Sequence, residues 1–190
     1  MNDLEKALTK TSDLSQGSLA AITGLWQKRR TLKSREVLVD LHNLDTNLYF
    51  VEEGCLRLYV IDEKGDEKNI GFGYAGSFIT NFQSYVSGEA SQVIIEAALP
   101  TVVVAISKKE ILGLVQSNFE ISHWYQHLLE KTLSGHIQRQ IELLTLPPKE
   151  RYLIFQKRSG HLINSIPLKM IASYLMMTPE TISRIRSDIS

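Results

Sequence analysis

Several polar side chains near residue 180 carry the hydrogen-bonding groups that recognise nucleic acid bases. The guanidinium of Arg184 can donate two parallel hydrogen bonds to O6 and N7 of guanine, and the carboxylate of Glu180 can accept one from a cytosine amino group. The hydroxyls of Thr181 and Ser183 can bond either bases or phosphates. This chemistry requires that all four side chains lie on one exposed face.

The segment that carries them is predicted to be an α-helix with an apolar opposite face. Ile182, Ile185 and Ile189 recur at the helical period and should point inward. The hydroxyl of Thr178 can cap the first turn, and Pro179 has a φ suited to that turn. The pattern therefore predicts a capped, half-buried helix that exposes the polar side chains.

A second helix is predicted immediately before this one. Leu168, Ile171, Ala172 and Leu175 form an apolar stripe at positions i, i+3, i+4 and i+7, and the small Ala172 suits a close helix crossing. Two short helices joined by a tight turn are typical of a helix-turn-helix, which usually binds DNA. The alternative is a pair of amphipathic helices such as any helical domain contains.

The charge distribution favours DNA binding. The whole chain has a formal net charge of zero, but residues 145–190 carry seven Lys or Arg against three Asp or Glu, whereas residues 1–144 carry 14 against 18. A basic segment is expected at a DNA interface because phosphate binding is largely electrostatic. Lys169 and Arg186 are predicted to hold phosphates. The complete set of predicted DNA contacts is Lys169, Thr178, Glu180, Thr181, Ser183, Arg184 and Arg186.

Residues 30–107 show short β-rich runs separated by turns, a pattern typical of a barrel or jelly roll. In one run Leu56, Leu58 and Val60 alternate with Arg57 and Tyr59, so those two polar residues are predicted to face outward. The basic segment at residues 27–35 is predicted to be a solvated edge strand. The other predicted strands are Val37–Leu41, Leu48–Val51, Leu56–Ile61, Asn69–Phe72, Gln92–Ala98 and Thr101–Ile106.

After residue 107 the pattern becomes helical, with a short helix and then a long one from about Phe119. An apolar stripe of about seven turns runs along the long helix, and it packs either on the β-rich domain or against a second copy of the chain. Pro147 and Pro148 end this helix and mark a domain boundary. A helix at residues 149–157 and a small strand at residues 162–166 are predicted to follow. On the dimer interpretation, the interface residues are Ile121, Tyr125, Leu128, Leu133 and Ile137.

These segments resemble the Crp/Fnr family of bacterial transcription regulators. The resemblance is carried by Ile171-Ala-Ser-Tyr-Leu175, by Thr178-Pro-Glu-Thr-Ile-Ser-Arg-Ile-Arg186, and by the β-rich stretch at residues 49–60 with its hairpin. It implies an α+β fold: a cyclic-nucleotide-binding-like β-roll (a double-stranded β-helix or jelly roll) at residues 1–118, a dimerisation helix at 119–146 and a helix-turn-helix domain at 147–190. The family's turn normally carries Gly where this chain has Met176, so the turn is either strained or differently shaped.

The resemblance also implies a candidate effector pocket. Relatives that bind cyclic nucleotides use a Glu for the ribose and an Arg for the phosphate, whereas Ser77 and Ser91 stand at those positions here. Loss of two charged hydrogen bonds, each worth about 1.5 to 3 kcal/mol, predicts no tight binding of cyclic AMP, and no cofactor is expected. A different ligand and plain core packing remain the two alternatives. The candidate effector residues are Phe72, Gly76, Ser77, Phe78, Ser91 and Gln92.

Other chemistries find little support. A single cysteine, Cys55, excludes an internal disulfide and a protein-held iron–sulfur cluster. His123 and His127 share a helical face, but spacing places no third ligand, so no metal site is predicted. No catalytic constellation is recognised, so the chain is not predicted to be an enzyme. No run approaches the ~20 apolar residues of a membrane helix, and the N-terminus lacks a signal-peptide pattern, which predicts a cytoplasmic protein without a membrane partner.

We therefore expect a homodimeric regulator that binds double-stranded DNA at a near-palindromic operator. RNA polymerase and an unknown small-molecule effector are further candidate partners. The alternative is a small-molecule sensor with weak or no DNA binding. The sensor hypothesis accounts only for the β-rich part, whereas the regulator hypothesis also accounts for the basic C-terminal segment and its polar helix.

Overall fold

The computed structural model describes residues 1–10 and 12–189, which form α-helices, β-strands and one 3₁₀ helix at Gly160–Leu162. The helices are α1 (Asp3–Thr9), α2 (Gln16–Thr23), α3 (Phe82–Ser87), α4 (Lys108–Ser117), α5 (Phe119–Thr145), α6 (Pro148–Ser159), α7 (Leu168–Tyr174) and α8 (Pro179–Ile189). The strands are β1 (Lys28–Leu32), β2 (Val37–Val39), β3 (Asn47–Glu53), β4 (Cys55–Ile61), β5 (Glu67–Tyr74), β6 (Phe78–Ile79), β7 (Ile94–Ala97) and β8 (Thr101–Ser107). All six strand predictions and the edge strand are confirmed, with shifted ends.

The chain divides into two compact units. Unit 1 consists of Met1–Leu58 and Phe72–Thr132, and unit 2 of Tyr59–Gly71 and Leu133–Ser190. The division passes through β4 and β5, so the outer part of their hairpin belongs to unit 2. We call Tyr59–Gly71 the hairpin segment.

The strands form two four-stranded sheets. One has the order β1-β8-β3-β6 and the other β2-β7-β4-β5. Strand β1 lies at one edge of the first sheet and pairs with β8, antiparallel, with Arg30 opposite Val103. The first four residues of β1 are exposed. Charged residues on an edge strand keep that edge in water and oppose pairing with another chain.

Unit 1 contains two apolar cores. The first core combines strand residues such as Phe50 with α1, α2, α4 and α5, and it includes the fully buried Trp124. The second core lies among strand residues such as Val51, Leu56 and Ile95. Since strand side chains alternate in direction, adjacent Phe50 and Val51 contribute to different cores.

The predicted outward orientation of Arg57 and Tyr59 is wrong, because both side chains are buried. The Arg57 guanidinium makes a two-pronged ion pair with Glu96 of β7, with Nε–Oε1 and Nη2–Oε2 distances of 3.1 Å. Only 1% of the Arg57 side chain and 7% of the Glu96 side chain are exposed. The alternation correctly placed Arg57 and Tyr59 on one face of β4 and Leu56 on the other. Both faces are covered by other residues, however, so the polar character of a side chain did not predict its exposure to solvent.

The long helix is confirmed as α5, and its apolar stripe divides into two parts. Ile121 is fully buried in the first core of unit 1, and Tyr125 and Leu128 pack against that core. The Ile121 side chain is therefore buried by residues of its own chain and is not available to a second copy, which corrects its assignment to a dimer interface. Leu133 and Ile137, further along the helix, are 56% and 50% exposed.

The small strand predicted at residues 162–166 is absent, because this segment makes local, helix-like hydrogen bonds. The Ile166 N–H donates to the Leu162 carbonyl, and the Ser165 hydroxyl donates to the His161 carbonyl at 2.7 Å. Leu162 and Ile166 are buried. A short apolar run of this kind fits a buried turn as well as a strand, since its length carries no periodicity.

Candidate nucleic-acid interface

Helix α7 is held firmly within unit 2. Its side chains Met170, Ile171 and Ala172 are buried. Two arginines hold its carboxyl end: Arg139 of α5 donates to the Tyr174 carbonyl at 2.6 Å, and Arg151 of α6 donates to the Leu175 carbonyl at 2.8 Å. The Arg139 guanidinium also lies 3.9 Å from the centre of the Tyr174 ring. These bonds satisfy helix-end carbonyls that would otherwise lack partners.

The turn between α7 and α8 contains a left-handed residue, which is the first of the two alternatives left open by the sequence. Met176 has φ 53°, and its side chain is 68% exposed. The Met176 and Met177 N–H groups donate to the Ser173 and Ala172 carbonyls, which closes the turn. The turn therefore has the positive φ that Gly usually supplies, and it is strained at Met176.

Replacement of Met176 by Gly is expected to stabilise the protein. It relieves about 1–2 kcal/mol of left-handed strain, while the greater freedom of Gly in the unfolded chain costs about 0.5–1 kcal/mol. The net gain should be about 0.5–1 kcal/mol in the free energy of unfolding measured with urea. Met177→Gly is the matched control and should destabilise, because Met177 has no positive φ. A loss of stability in Met176→Gly would contradict the strain argument.

Helix α8 begins and presents its polar residues as the sequence predicted. The Thr181 N–H donates to the Thr178 hydroxyl at 3.2 Å, which caps the helix. Glu180, Ser183 and Arg184 are exposed and Thr181 is half-buried. A hydrogen bond from the Thr178 hydroxyl, and then one from the backbone N–H of Glu180 itself, lower the pKa of the Glu180 carboxyl. Glu180 is therefore an ionised acceptor at neutral pH.

The apolar face of α8 is shorter than predicted. Ile182 and Ile185 are buried, but Ile189 is 38% exposed, which corrects its inward assignment. Ile189 lies in the last turn, where the helix ends and fewer neighbouring side chains are available to cover it.

Arg186 has internal partners, in contrast to the exposed Arg184. Its Nε donates to the Tyr152 hydroxyl at 3.0 Å, and its Nη2 donates to the Ile163 carbonyl at 3.4 Å. Its guanidinium also lies 5.9 Å from the Tyr152 ring centre. Arg186 therefore joins α8 to α6, and the exposed Lys169 of α7 is the better candidate phosphate contact.

The candidate effector residues are not all brought together. Gly76, Ser77 and Phe78 line a cavity of about 300 Å³ in unit 1, with Lys10 and Lys131 among the other lining residues. Phe78 also packs on Trp26, Phe50 and Trp124, with ring centres 5.2–5.7 Å apart. Phe72, Ser91 and Gln92 do not line this cavity.

Both serines at the expected nucleotide positions are engaged in local hydrogen bonds. The Ser77 hydroxyl accepts from the Tyr74 N–H at 3.3 Å. Ser91 is 2% exposed; its hydroxyl accepts from the Val93 N–H at 3.0 Å and donates to Gln83 Oε1 at 3.4 Å. These hydroxyls shape loops, and neither supplies the charge that a cyclic phosphate or a ribose contact requires.

Cyclic AMP is accordingly not expected to bind at micromolar concentration. Two missing charged hydrogen bonds correspond to about two to four orders of magnitude in affinity. Isothermal titration calorimetry with the full chain should give no saturable heat at micromolar nucleotide. Micromolar binding would overturn this prediction and would return the serine-containing loops to consideration as a nucleotide site.

Comparison with known protein families identifies the β-rich part of unit 1 and the hairpin segment. The family model described as "Cyclic nucleotide-binding domain" matches residues 29–118. The matched residues lie in the part of the chain in which the β-roll was predicted. A comparison with curated protein sequences gives no match.

Solved structures with the same fold are Crp/Fnr family regulators. FixK2 from Bradyrhizobium japonicum has a TM-score of 0.76 and 17% identity, over 85% of this chain and 83% of that one. CLP from Xanthomonas campestris, a c-di-GMP responsive global regulator, has a TM-score of 0.66 and 15% identity, over 92% and 91%. A CooA variant from Carboxydothermus hydrogenoformans has a TM-score of 0.69 and 16% identity, over 99% and 84%. The chain thus has the Crp/Fnr fold.

Some residues that shape these units carried no recognisable sequence signal. In the segment at residues 29–118, Arg57 and Glu96 are 39 residues apart, and nothing local to either predicts their pairing. In unit 2 the Ser173 hydroxyl accepts from the Asn69 N–H, 104 residues away. Among the described residues, no helix is long and apolar enough to cross a membrane.

Proposed function

We propose that this chain is a Crp/Fnr-type transcription regulator that binds a near-palindromic DNA operator as a homodimer. The observation that carries the proposal is the exposed polar face of α8, on a helix whose opposite face is buried by Ile182 and Ile185. The N-terminal part of such a helix can enter the major groove, while the preceding helix and its lysine contact the backbone.

The residues given a role in base recognition are those that α8 exposes. Arg184 is free of internal ion pairs within the described chain and can approach a guanine with two parallel bonds. Glu180 and Ser183 are accessible to neighbouring bases. Lys169 is assigned to a phosphate, where it fixes position without reading sequence. Arg186 is assigned instead to the α8–α6 contact.

Dimerisation is supported by the outer part of α5. Leu133, Ile137, Ile141 and Leu144 are 56%, 50%, 48% and 78% exposed. Their spacings of four, four and three residues place them on one helical face. Exposed apolar side chains in a continuous row indicate a partner surface, and a second copy supplies an identical row across a two-fold axis. A dimer would present two copies of α8 to grooves about one helical turn, ~34 Å, apart.

Selection of random duplexes by gel shift tests the proposal directly. A regulator should enrich a palindrome at moderate salt, because base contacts discriminate where phosphate contacts do not. Recovery of no preferred sequence would contradict DNA regulation and would leave the small-molecule sensor as the remaining function. The solved relatives are regulators and not enzymes. The proposed function accordingly includes no enzymatic activity.

Arg184→Ala should relax base preference at one position of each half-site and cost about 1–3 kcal/mol on the selected operator. The two-pronged contact with guanine is the reason, so Arg184→Lys, which keeps the charge, should also lose the preference. Lys169→Ala is the matched comparison and should weaken all sequences about equally. Binding measured on a panel of single-base operator variants separates these outcomes; a uniform loss in Arg184→Ala would make Arg184 a phosphate contact.

A further inference from the structure

A pair of histidines lies on the exposed side of α5, outside the sites described above. His123 and His127 are both exposed, and they stand about one helical turn apart. The opposite side of the helix is fixed in the first core of unit 1 by Ile121 and Trp124, which are fully buried. Because that side is held by the core, α5 presents both imidazoles outward from a well-packed helix.

The two imidazoles are already spaced for a shared metal ion. Their ring centres are 5.1 Å apart, and their planes are inclined at 62°. An imidazole nitrogen binds Zn²⁺ at about 2.0–2.1 Å, so two imidazoles at a tetrahedral angle on one ion have ring centres about 5 Å apart. Neither imidazole has a hydrogen bond or an ion pair among residues 1–10 and 12–189. Each therefore has a nitrogen available to an ion.

The charge beside the pair favours a cation. Glu130 follows His127 by three residues on the same side of α5, and its carboxylate accepts a hydrogen bond from Gln126 Nε2 at 2.8 Å. No ion pair within the described part of the chain neutralises this carboxylate. A bound cation next to it would be stabilised by a negative charge that no other group uses.

The row of residues that supports dimerisation extends to this pair. The residues at intervals of seven along α5 are Leu144, Ile137, Glu130 and His123. Seven residues is the repeat of a seam between two helices. In a dimer joined through α5 with both helices running in the same direction, each of these residues faces its own copy across the two-fold axis. His123 therefore meets His123 of the second copy, with the two His127 side chains one turn further along.

One chain does not complete a metal site. The described residues contain no group of three or more His, Cys, Asp or Glu side chains that can hold a metal ion. Two copies supply four imidazoles, which is the ligand number of a structural Zn²⁺ site. The sequence of one chain predicts no metal site for the same reason, because the third and fourth ligands come from the second copy.

We propose that the α5 helices of two copies bind one Zn²⁺ ion through His123 and His127 of each copy. This site rests on the homodimer of the proposed function, since a single chain holds only half of it. Imidazole nitrogens suit Zn²⁺, whereas Ca²⁺ and Mg²⁺ prefer oxygen ligands. The ion links the two helices and offsets the repulsion between the two Glu130 carboxylates, which face each other in the seam. Zn²⁺ binding and dimerisation strengthen each other by the same factor.

Isothermal titration calorimetry with ZnCl₂ tests the site on the full chain without a histidine tag, after metal is removed with EDTA and the EDTA by dialysis. One Zn²⁺ per two chains is expected, with binding at micromolar concentration or below. His123→Gln and His127→Gln should each weaken binding about 100-fold, the effect of removing one of four ligands. His136→Gln is the matched control and should change nothing, because His136 is exposed on the same helix but outside the pair.

Absence of Zn²⁺ binding, or binding that His123→Gln and His127→Gln leave unchanged, would overturn the proposal. Binding of one Zn²⁺ per chain would also overturn it, because each pair would then hold its own ion. Titration with Co²⁺ is an independent measurement, since a tetrahedral site gives an intense visible absorption that octahedral Co²⁺ lacks. A weak octahedral spectrum would exclude the four-histidine site. Both histidines are exposed, so the glutamine variants should fold, which circular dichroism establishes.

Light scattering after gel filtration, with ZnCl₂ or with EDTA, separates this site from the proposed function. Zn²⁺ should lower the Kd for dimerisation by at least about tenfold in the wild type and should have no effect in His127→Gln. A dimer that forms in EDTA and binds no Zn²⁺ would contradict the metal site alone and would leave the proposed regulator intact. A chain that stays monomeric with and without Zn²⁺ would contradict the homodimer and, with it, the shared site.

Discussion

Ile137→Glu is expected to abolish the proposed homodimer at micromolar concentration while leaving each chain folded. Ile137 is 50% exposed in a single chain and lies centrally in the row formed with Leu133, Ile141 and Leu144. Burial of one such side chain contributes about 1.5–3 kcal/mol, and two-fold symmetry doubles that contribution. The two introduced carboxylates would also face each other. The Kd for dimerisation should therefore rise by at least ~100-fold.

Light scattering after gel filtration, over a range of loading concentrations, measures this change. Gly135→Glu is the matched control, because Gly135 is exposed on the same helix, lies on the face opposite the apolar row, and has open space for a side chain. It should leave the dimer intact. A monomeric wild type at tens of micromolar, or a dimeric Ile137→Glu variant, would show that α5 is not the association surface. Operator affinity should fall together with dimerisation, since a monomer holds only one half-site.

Arg57→Met is expected to lower the free energy of unfolding by about 3–5 kcal/mol, because it leaves the Glu96 carboxylate buried without its counter-charge. The Glu96 side chain is only 7% exposed, so water cannot replace the lost guanidinium. Urea denaturation of the full chain measures the loss. The size of this effect distinguishes a buried ion pair from the surface pairs of the same protein.

Arg29→Met provides the comparison, because Arg29 pairs with Glu52 at 2.9 Å while its side chain is 60% exposed. An exposed pair of this kind is worth about 0–1 kcal/mol. The double variant Arg57→Met/Glu96→Gln should recover part of the stability, since it removes the unpaired charge. Equal effects of Arg29→Met and Arg57→Met would contradict the assignment of Arg57 as a buried structural residue.

The C-terminal helices were the most predictable part of the fold, because their signals are local. A capping threonine, a proline in the first turn and isoleucines at the helical period together defined α8, and the hydrogen bond from Thr181 to Thr178 reproduces that cap. Such features depend on residues within one or two turns of each other, which a sequence displays directly.

The errors arose where distant segments decide the environment. Alternation along β4 identified the side on which Arg57 lies, but only the fold shows that Glu96 meets it there. Ile121 belonged to a genuine apolar stripe, yet the first part of that stripe is used by the core of unit 1. Periodicity reports that a face is apolar and cannot report which partner covers it.

The attachment of α7 has a consequence for the choice of operator. Arg139 and Arg151 attach its carboxyl end to α5 and α6. In a dimer joined through α5, the orientation of α7 and α8 would therefore be fixed relative to the two-fold axis. A DNA duplex rotates by about 34° per base pair, since one turn takes about 10–10.5 base pairs. One base pair inserted between the half-sites would rotate one half-site about the duplex axis, out of reach of an α8 helix held in this way. The affinity for an operator would thus depend on the spacing between its half-sites as strictly as on their base sequence.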